Sequence, residues 1–358
     1  NRILLSPVLA GEKTVADIML NDLAWYEENG ITLHTGKTVT KIDRARRQVV
    51  AGDETVASYD RVLIATGSAP FMLPVPGAEL AGVIAFRDIK DVEIMLDTSK
   101  AHKHAVVIGG GLLGLEAANG LLKNGMDVTV IHLMTTLMER QLDAEAGAML
   151  KASLVERGLK FEMGASTAAI SGRDGRVAAV KLTDGREIPA DLVVMAIGIK
   201  PNTELAKKAG IHCERGIVVS DTMQTFDPLA YAVGECVQHR GKTYGLVAPL
   251  YEQAKVAANH LAQKAFAAYK GSLTSTKLKV TGINLFSAGD FSGGKDTEDI
   301  LVKDARSGVY KRIVLRNDRI VGAVLYGDTI DGPWYFQHMR DGTNVADMRR
   351  ALMFGQAH

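Results

Sequence analysis

The chain has 358 residues, more than one ordinary domain holds, so two or three domains are expected. Hydrophobic residues make up 47% and charged residues 23%, the composition of a globular protein with a sizeable core, and 42 basic against 41 acidic side chains leave a formal net charge of +1. No overall field therefore draws the protein to nucleic acid or to an anionic membrane, and an anionic ligand has to be held locally.

In chain order, the first residue is Asn1 rather than a start methionine, and the chain reads as a piece of something longer. A helical pattern over 14–29 ends at Gly30, and short strands are predicted at 31–34, 39–42 and 48–51. The apolar run 61–65 reads as a buried strand, and Pro70, Pro74 and Pro76 make the next segment a connector. From 104 the pattern becomes strand (104–108), glycine turn (109–114), helix (115–123) and strand (127–132), one βαβ unit. A helix over 143–157, a strand at 160–163, hairpin turns at Asp174-Gly175 and Asp184-Gly185, and a last apolar strand at 191–197 complete an α/β domain. Strands at 217–219 and 231–233 precede a helix from 249 to roughly 268. Beyond 272, strands at 299–303, 310–315 and 319–325, with turns at Ser307-Gly308 and Asn317-Asp318, predict a compact antiparallel sheet with helices at its end.

Val106-Val107-Ile108-Gly109-Gly110-Gly111-Leu112-Leu113-Gly114 carries the strand, G-x-G-x-x-G and helix order of a dinucleotide site. Gly109 allows the tight turn, Gly111 lets the backbone approach a pyrophosphate, and Gly114 lets the helix pack closely on the sheet. The free N–H groups at the helix start hold phosphate without any large positive charge. The second strand should end in an acid for the adenosine ribose, but it ends in His132. Two readings of His132 stand, a ribose or adenine contact and a half-exposed strand-end histidine, and NADH versus NADPH stays open.

Cys213 and Cys236 are the only cysteines and lack the spacing of a metal site or a redox dithiol, so no metal is expected and a reducing, cytoplasmic setting fits. No apolar run reaches the ~18 residues a membrane-spanning helix needs.

Three further segments, Ala65-Thr66-Gly67-Ser68-Ala69-Pro70, Met195-Ala196-Ile197-Gly198 and Tyr231-Ala232-Val233-Gly234-Glu235-Cys236, follow in the order found in the pyridine-nucleotide-disulfide oxidoreductases, which the chain resembles. Within that superfamily it is most similar to the large subunits of assimilatory NAD(P)H nitrite reductases, through Arg2-Ile3-Leu4-Leu5-Ser6, residues 109–119, Leu137-Met138-Glu139-Arg140-Gln141-Leu142-Asp143 and Gly245-Leu246-Val247-Ala248-Pro249. The resemblance implies an α/β fold with two nested Rossmann-like domains of glutathione-reductase type. These would be an FAD domain at 1–100, an NAD(P) domain at 101–215, a return to the FAD domain at 216–271, and a small α+β interface domain at 272–358. It implies NAD(P)H contacts at Gly109, Gly111, Gly114, His132 and Gly198. It implies FAD contacts at Arg2, Ser6, Thr66, Gly67, Gly234, Glu235, Pro249 and Gln253, with Glu235 on the ribityl chain.

In relatives Glu116 sits close to the nicotinamide; here the alternative is a first-turn acid that favours the helix dipole. A G-x-G-x-x-G turn for the FAD pyrophosphate is not found before Gly109, so the first flavin-binding βαβ unit is expected to be missing and flavin to be held weakly. Iron–sulfur and sirohaem groups would lie in regions outside this chain. The implied partners are a nicotinamide nucleotide and a redox acceptor domain or subunit, with a homodimer left open. The alternatives are a ferredoxin or rubredoxin reductase, whose Leu-Ser-Lys stands here as Leu5-Ser6-Pro7, and a non-catalytic nucleotide-binding flavoprotein module. Disulfide reduction is excluded, because residues 1–100 hold no cysteine. Trp334, Tyr335 and Phe336 are read either as a docking surface or as core.

Overall fold

The strand His104–Ile108 is buried along nearly its whole length, as are Asp127–His132 and Leu192–Met195, and strands covered on both faces are the ones that read as unbroken apolar runs. A computed structural model describes residues 1–264, 267–278, 280 and 282–357. Among them the chain divides into two compact units, one of Asn1–Ile18, Pro70–Gly198 and Ser275–His358, the other of Met19–Ala69 and Ile199–Thr274.

The first unit is built on a five-stranded parallel sheet ordered Val83–Ala85, Leu192–Met195, His104–Ile108, Asp127–His132, Lys160–Met163. Alternation across the pleat sends Ala105, Val107, Val128, Val130 and Val194 into one core and Val106, Ile108, Ile131 and Val193 into another. On the first face lie the helices Ile89–Ala101 and Leu112–Lys123; Thr167–Arg173, Arg176–Leu182 and Glu187–Pro189 form an antiparallel ribbon whose apolar side chains fill the second core. The short helix Leu5–Leu9 packs on Leu112–Lys123 where Gly120 leaves room, since a Cβ there would stand 2.6 Å from Leu9. Asn124 Nδ2 donates to the Leu9 carbonyl at 2.7 Å.

These compact units divide the chain differently from the domains expected from sequence. Residues 1–18 and 70–100, expected in the flavin part, fall in the first compact unit, the second because Val83–Ala85 pairs with Leu192–Met195 and Val92 and Met95 enter its core. Residues 199–215 go the other way. The helix Ile89–Ala101 was hidden in the expected connector, although Asp88 and Asp91 form a capping box that is a legible start signal.

The C-terminal part of this unit is a five-stranded antiparallel sheet ordered Ser275–Lys277, Leu285–Gly289, Arg319–Tyr326, Val309–Arg316, Glu298–Asp304. Asn317 and Asp318 both have left-handed backbones, φ 51° and 54°, as a two-residue hairpin of this twist requires. The helix Gly332–Asp341 covers the sheet through the fully buried Tyr335, with the half-buried Trp334 and Phe336 packed against the same core.

Asp143 ties helix to sheet in this unit. Its carboxylate caps the helix Ala144–Glu156 by accepting from Ala146 N at 3.0 Å, and also accepts from Tyr310 Oη at 2.6 Å and Arg312 Nη1 at 3.1 Å. Asp143→Ala removes the cap and leaves a tyrosine hydroxyl and a guanidinium short of a partner. A destabilisation of about 3 kcal/mol is expected, measurable as a lower urea midpoint, and Asp143→Asn should recover part of it by keeping the cap.

The second unit holds an antiparallel sheet of Val39–Asp43, Gln48–Ala51 and Val56–Ser58, the parallel pairs Val62–Ile64 with Ala230–Ala232 and Ile217–Val219 with Val237–His239, and the helix Val247–Leu261. The helix expected over 14–29 is broken: a 3-10 turn at Ala16–Ile18 is followed by Leu23–Glu28, because the Asp22 side chain takes Trp25 N at 2.9 Å and starts a new helix. The strand expected at 31–34 is irregular, with Ile31 and Leu33 exposed, because no ladder partner stands beside it among the described residues. The helix expected to run to 268 stops at Leu261, where Gln263 turns left-handed at φ 56°; residues 265 and 266 lie outside the described residues.

No helix among the described residues is long and apolar enough to cross a membrane.

Candidate functional site

The glycines of the turn after His104–Ile108 are not interchangeable. Gly109 has φ 120°, and a Cβ on it would stand 2.4 Å from the Ala196 carbonyl oxygen. A Cβ on Gly114 would stand 1.9 Å from the Gly109 carbonyl oxygen, so the helix Leu112–Lys123 reaches the strand only because residue 114 has no side chain. Gly111 differs: nothing lies within 4 Å of its Cβ position, and its φ of −84° suits any residue. The space above it is open. As the N-cap of the helix it offers no side chain to the free N–H groups of the first turn, which are left for an outside acceptor. Gly198, which follows Leu192–Met195, has φ 128° and open space at its Cβ position.

His132 closes the underside of this turn. It is 7% exposed, and the Gly110 N–H donates to its Nδ1 at 3.0 Å, which puts the ring proton on Nε2. Nε2 then faces the Thr136 carbonyl at 3.1 Å and Glu139 Oε2 at 3.2 Å. Both ring nitrogens are therefore engaged within the protein.

Glu116 lies in the first turn and a half of the same helix and is withdrawn from solvent: it is 4% exposed and accepts from Ser6 Oγ. Ser6 and Arg2 belong to this first unit, whereas Thr66, Gly67, Gly234, Glu235, Pro249 and Gln253 belong to the second.

In the second unit Glu235 follows Ala230–Ala232, is buried, and accepts from Ser68 Oγ at 2.7 Å. Gly234 beside it has φ 94° with nothing near its Cβ position, and its N–H donates to Gln253 Oε1 at 2.9 Å. Gln253 is fully buried, and its amide nitrogen has no hydrogen-bond partner among the described residues. Pro249 and Gln253, four residues apart on Val247–Leu261, are both buried on one face of that helix. Thr66 and Gly67 are held by Asn202, which sequence reading missed: Thr66 Oγ1 donates to the Asn202 carbonyl at 2.8 Å, and Asn202 returns bonds to the Thr66 and Gly67 carbonyls at 2.9 Å each. No signal in the local sequence marks Asn202.

A buried carboxylate, an open glycine and an orphaned amide donor in one place fit a polyhydroxyl ligand that supplies both donors and acceptors. Cys236 is buried next to this cluster, and burial pushes its thiol up from the ordinary range. Iodoacetamide at pH 8 is therefore expected to leave Cys236 unmodified in the folded protein and to label it only after denaturation, as read by mass spectrometry.

The chain is 53% identical over 347 residues to a nitrite reductase (NAD(P)H) of Bacillus subtilis (strain 168), covering 97% of this chain and 43% of that protein. It is 47% identical over 331 residues to the assimilatory nitrate reductase electron transfer subunit of the same organism, covering 92% of this chain and 43% of that protein. The chain thus spans less than half the length of these relatives. Among solved structures, the covalent putidaredoxin reductase-putidaredoxin complex superimposes with a TM-score of 0.86 at 29% identity, over 95% of this chain and 84% of that one. Residues 275–343 match the family model of the rubredoxin NAD+ reductase C-terminal domain. Residues 1–260 match that of the pyridine nucleotide-disulphide oxidoreductases, and the chain belongs to that family.

Proposed function

We propose that this chain is the electron-entry portion of an NAD(P)H-dependent nitrite reductase: it binds a reduced nicotinamide nucleotide and FAD, and feeds electrons to an iron–sulfur and sirohaem centre carried elsewhere in the protein. The observation that carries the nucleotide half is the division of labour among Gly109, Gly111 and Gly114, two filled by backbone and one left open at an uncapped helix start. The acceptor is suggested by the nitrite reductase of Bacillus subtilis (strain 168), similar over nearly the whole chain.

For the nucleotide, the residues assigned are Gly109, Gly111 and Gly114 at the pyrophosphate, Gly198 at the far edge of the turn, and Glu116 as the positioning group for the nicotinamide ring. A carboxylate held by Ser6 keeps a fixed orientation, as a positioning group needs. For the flavin, the residues that fit are Glu235 as acceptor for ribityl hydroxyls, Gln253 as donor through its unpartnered amide, and Gly67 and Gly234 where backbone approaches the ligand. When bound, a flavin supplies the exchange between two-electron hydride chemistry and one-electron transfer. Arg2 and Ser6 keep the flavin role implied by resemblance only as a proposal, since Ser6 already serves Glu116.

The likeness of residues 275–343 to rubredoxin reductases favours one rival, delivery to a small separate electron carrier. Both readings are tested on the full-length protein. NADH oxidation that depends on added nitrite and yields ammonium supports the first. Oxidation that depends on an added ferredoxin or rubredoxin and ignores nitrite replaces it with the second.

A further inference from the structure

The strand Asp127–His132 ends in a histidine rather than an acid, and a carboxylate, Glu139, stands against that histidine. We infer that Glu139 is the ribose-reading acid of this site and sets a preference for NADH over NADPH, with His132 as its positioning residue and Leu133 and Met134 as the adenine platform. This rests on the nucleotide-binding reading of the glycine turn.

The geometry is local and specific. Met138 N donates to the Gly110 carbonyl at 3.0 Å, so the segment after Asp127–His132 is bonded back onto the glycine turn itself. Met138 is fully buried and adopts a left-handed backbone, φ 51°, a conformation that costs a side-chain-bearing residue about 1 kcal/mol and persists only where packing imposes it. That twist carries the chain round so that the next carboxylate, Glu139, meets the tip of the His132 ring at 3.2 Å. The carboxylate thus stands beyond the tip of the His132 ring.

His132 is committed on both nitrogens and has no donor left for a ribose. It joins the turn to the acid: Nδ1 takes the Gly110 N–H, and Nε2–H is shared between the Thr136 carbonyl and one Glu139 carboxylate oxygen, which leaves the other oxygen of the half-buried Glu139 to accept from ribose hydroxyls. A 2′-phosphate in the same place meets a negative charge. Immediately after His132, Leu133 and Met134 are 66% and 47% exposed, two large apolar side chains left in water beside the turn, as an adenine ring would use them. Arg140, exposed and adjacent, is the group that would favour a 2′-phosphate if Glu139 did not dominate.

The test is calorimetric titration of the full-length protein with NAD+ and NADP+, which report affinity without reducing the flavin. The wild type should bind NAD+ at least about tenfold more tightly, and Glu139→Gln, which keeps an acceptor for His132 but removes the charge, should reduce that ratio by about tenfold at an unchanged melting temperature. His132→Ala should lower the same ratio, whereas a general loosening of the turn weakens both nucleotides alike. Equal affinities in the wild type, a ratio untouched by Glu139→Gln, or an NADP+ preference that disappears in Arg140→Ala would each overturn the assignment while leaving the nucleotide site in place. Failure of the wild type to bind either nucleotide would overturn the nucleotide-binding reading itself.

Discussion

Gly114→Ala is expected to cost about 3 kcal/mol of stability or more and to remove nucleotide binding with it. The added methyl would sit 1.9 Å from the Gly109 carbonyl oxygen and 3.4 Å from Ala196 Cβ, and neither the strand end nor the helix can move without disturbing the buried centre of the sheet. Gly111→Ala supplies the control, because its methyl meets nothing within 4 Å and its backbone is unstrained. Its fold should lose about 1 kcal/mol or less, the ordinary difference between glycine and alanine at an N-cap, while NAD+ affinity falls more than about tenfold because the methyl occupies the phosphate space. Chemical denaturation and calorimetry on the two variants separate these effects. Equal losses of stability would mean that the two glycines do not have different jobs.

Glu235→Ala is expected to release flavin from the full-length protein. Removing the buried carboxyl takes away the acceptor to which the Ser68 hydroxyl donates and which ribityl hydroxyls would use, so flavin binding should weaken by about tenfold to a hundredfold. Glu235→Gln, which keeps one acceptor oxygen, should lose less. The flavin-to-protein absorbance ratio after gel filtration reads both, and full retention by Glu235→Ala would take this residue out of the flavin site. Gln253→Leu, which removes the orphaned amide and the acceptor for Gly234 N–H together, should act in the same direction.

Much of the first unit was legible from the chain alone because its signals are local. A strand buried on both faces is written as a run such as Ala105-Val106-Val107-Ile108, and the turn after it as glycines at fixed spacing. The hairpin at Asn317-Asp318 and the cap at Asp143 are likewise written within a few residues. The helix Ile89–Ala101 carried a readable capping box, but it sat behind three prolines that suggested a connector.

What sequence could not decide depended on partners distant along the chain. The segment 31–34 has strand composition, but a strand exists only where a neighbouring ladder takes its N–H and C=O groups, and none stands beside it among the described residues. Residues 1–18 and 70–100 were assigned by their order to the flavin part, yet the close approach of Leu9 to Gly120 and the pairing of Val83–Ala85 with Leu192–Met195 draw them into the other unit.

The glycine turn and its strands were thus determined by the sequence itself, because backbone sterics and burial act over a few residues. The role of His132 was not. Whether a strand-end histidine meets a ligand or the protein depends on what folds back onto it, and only the tertiary structure brings Gly110, Thr136 and Glu139 to its two nitrogens.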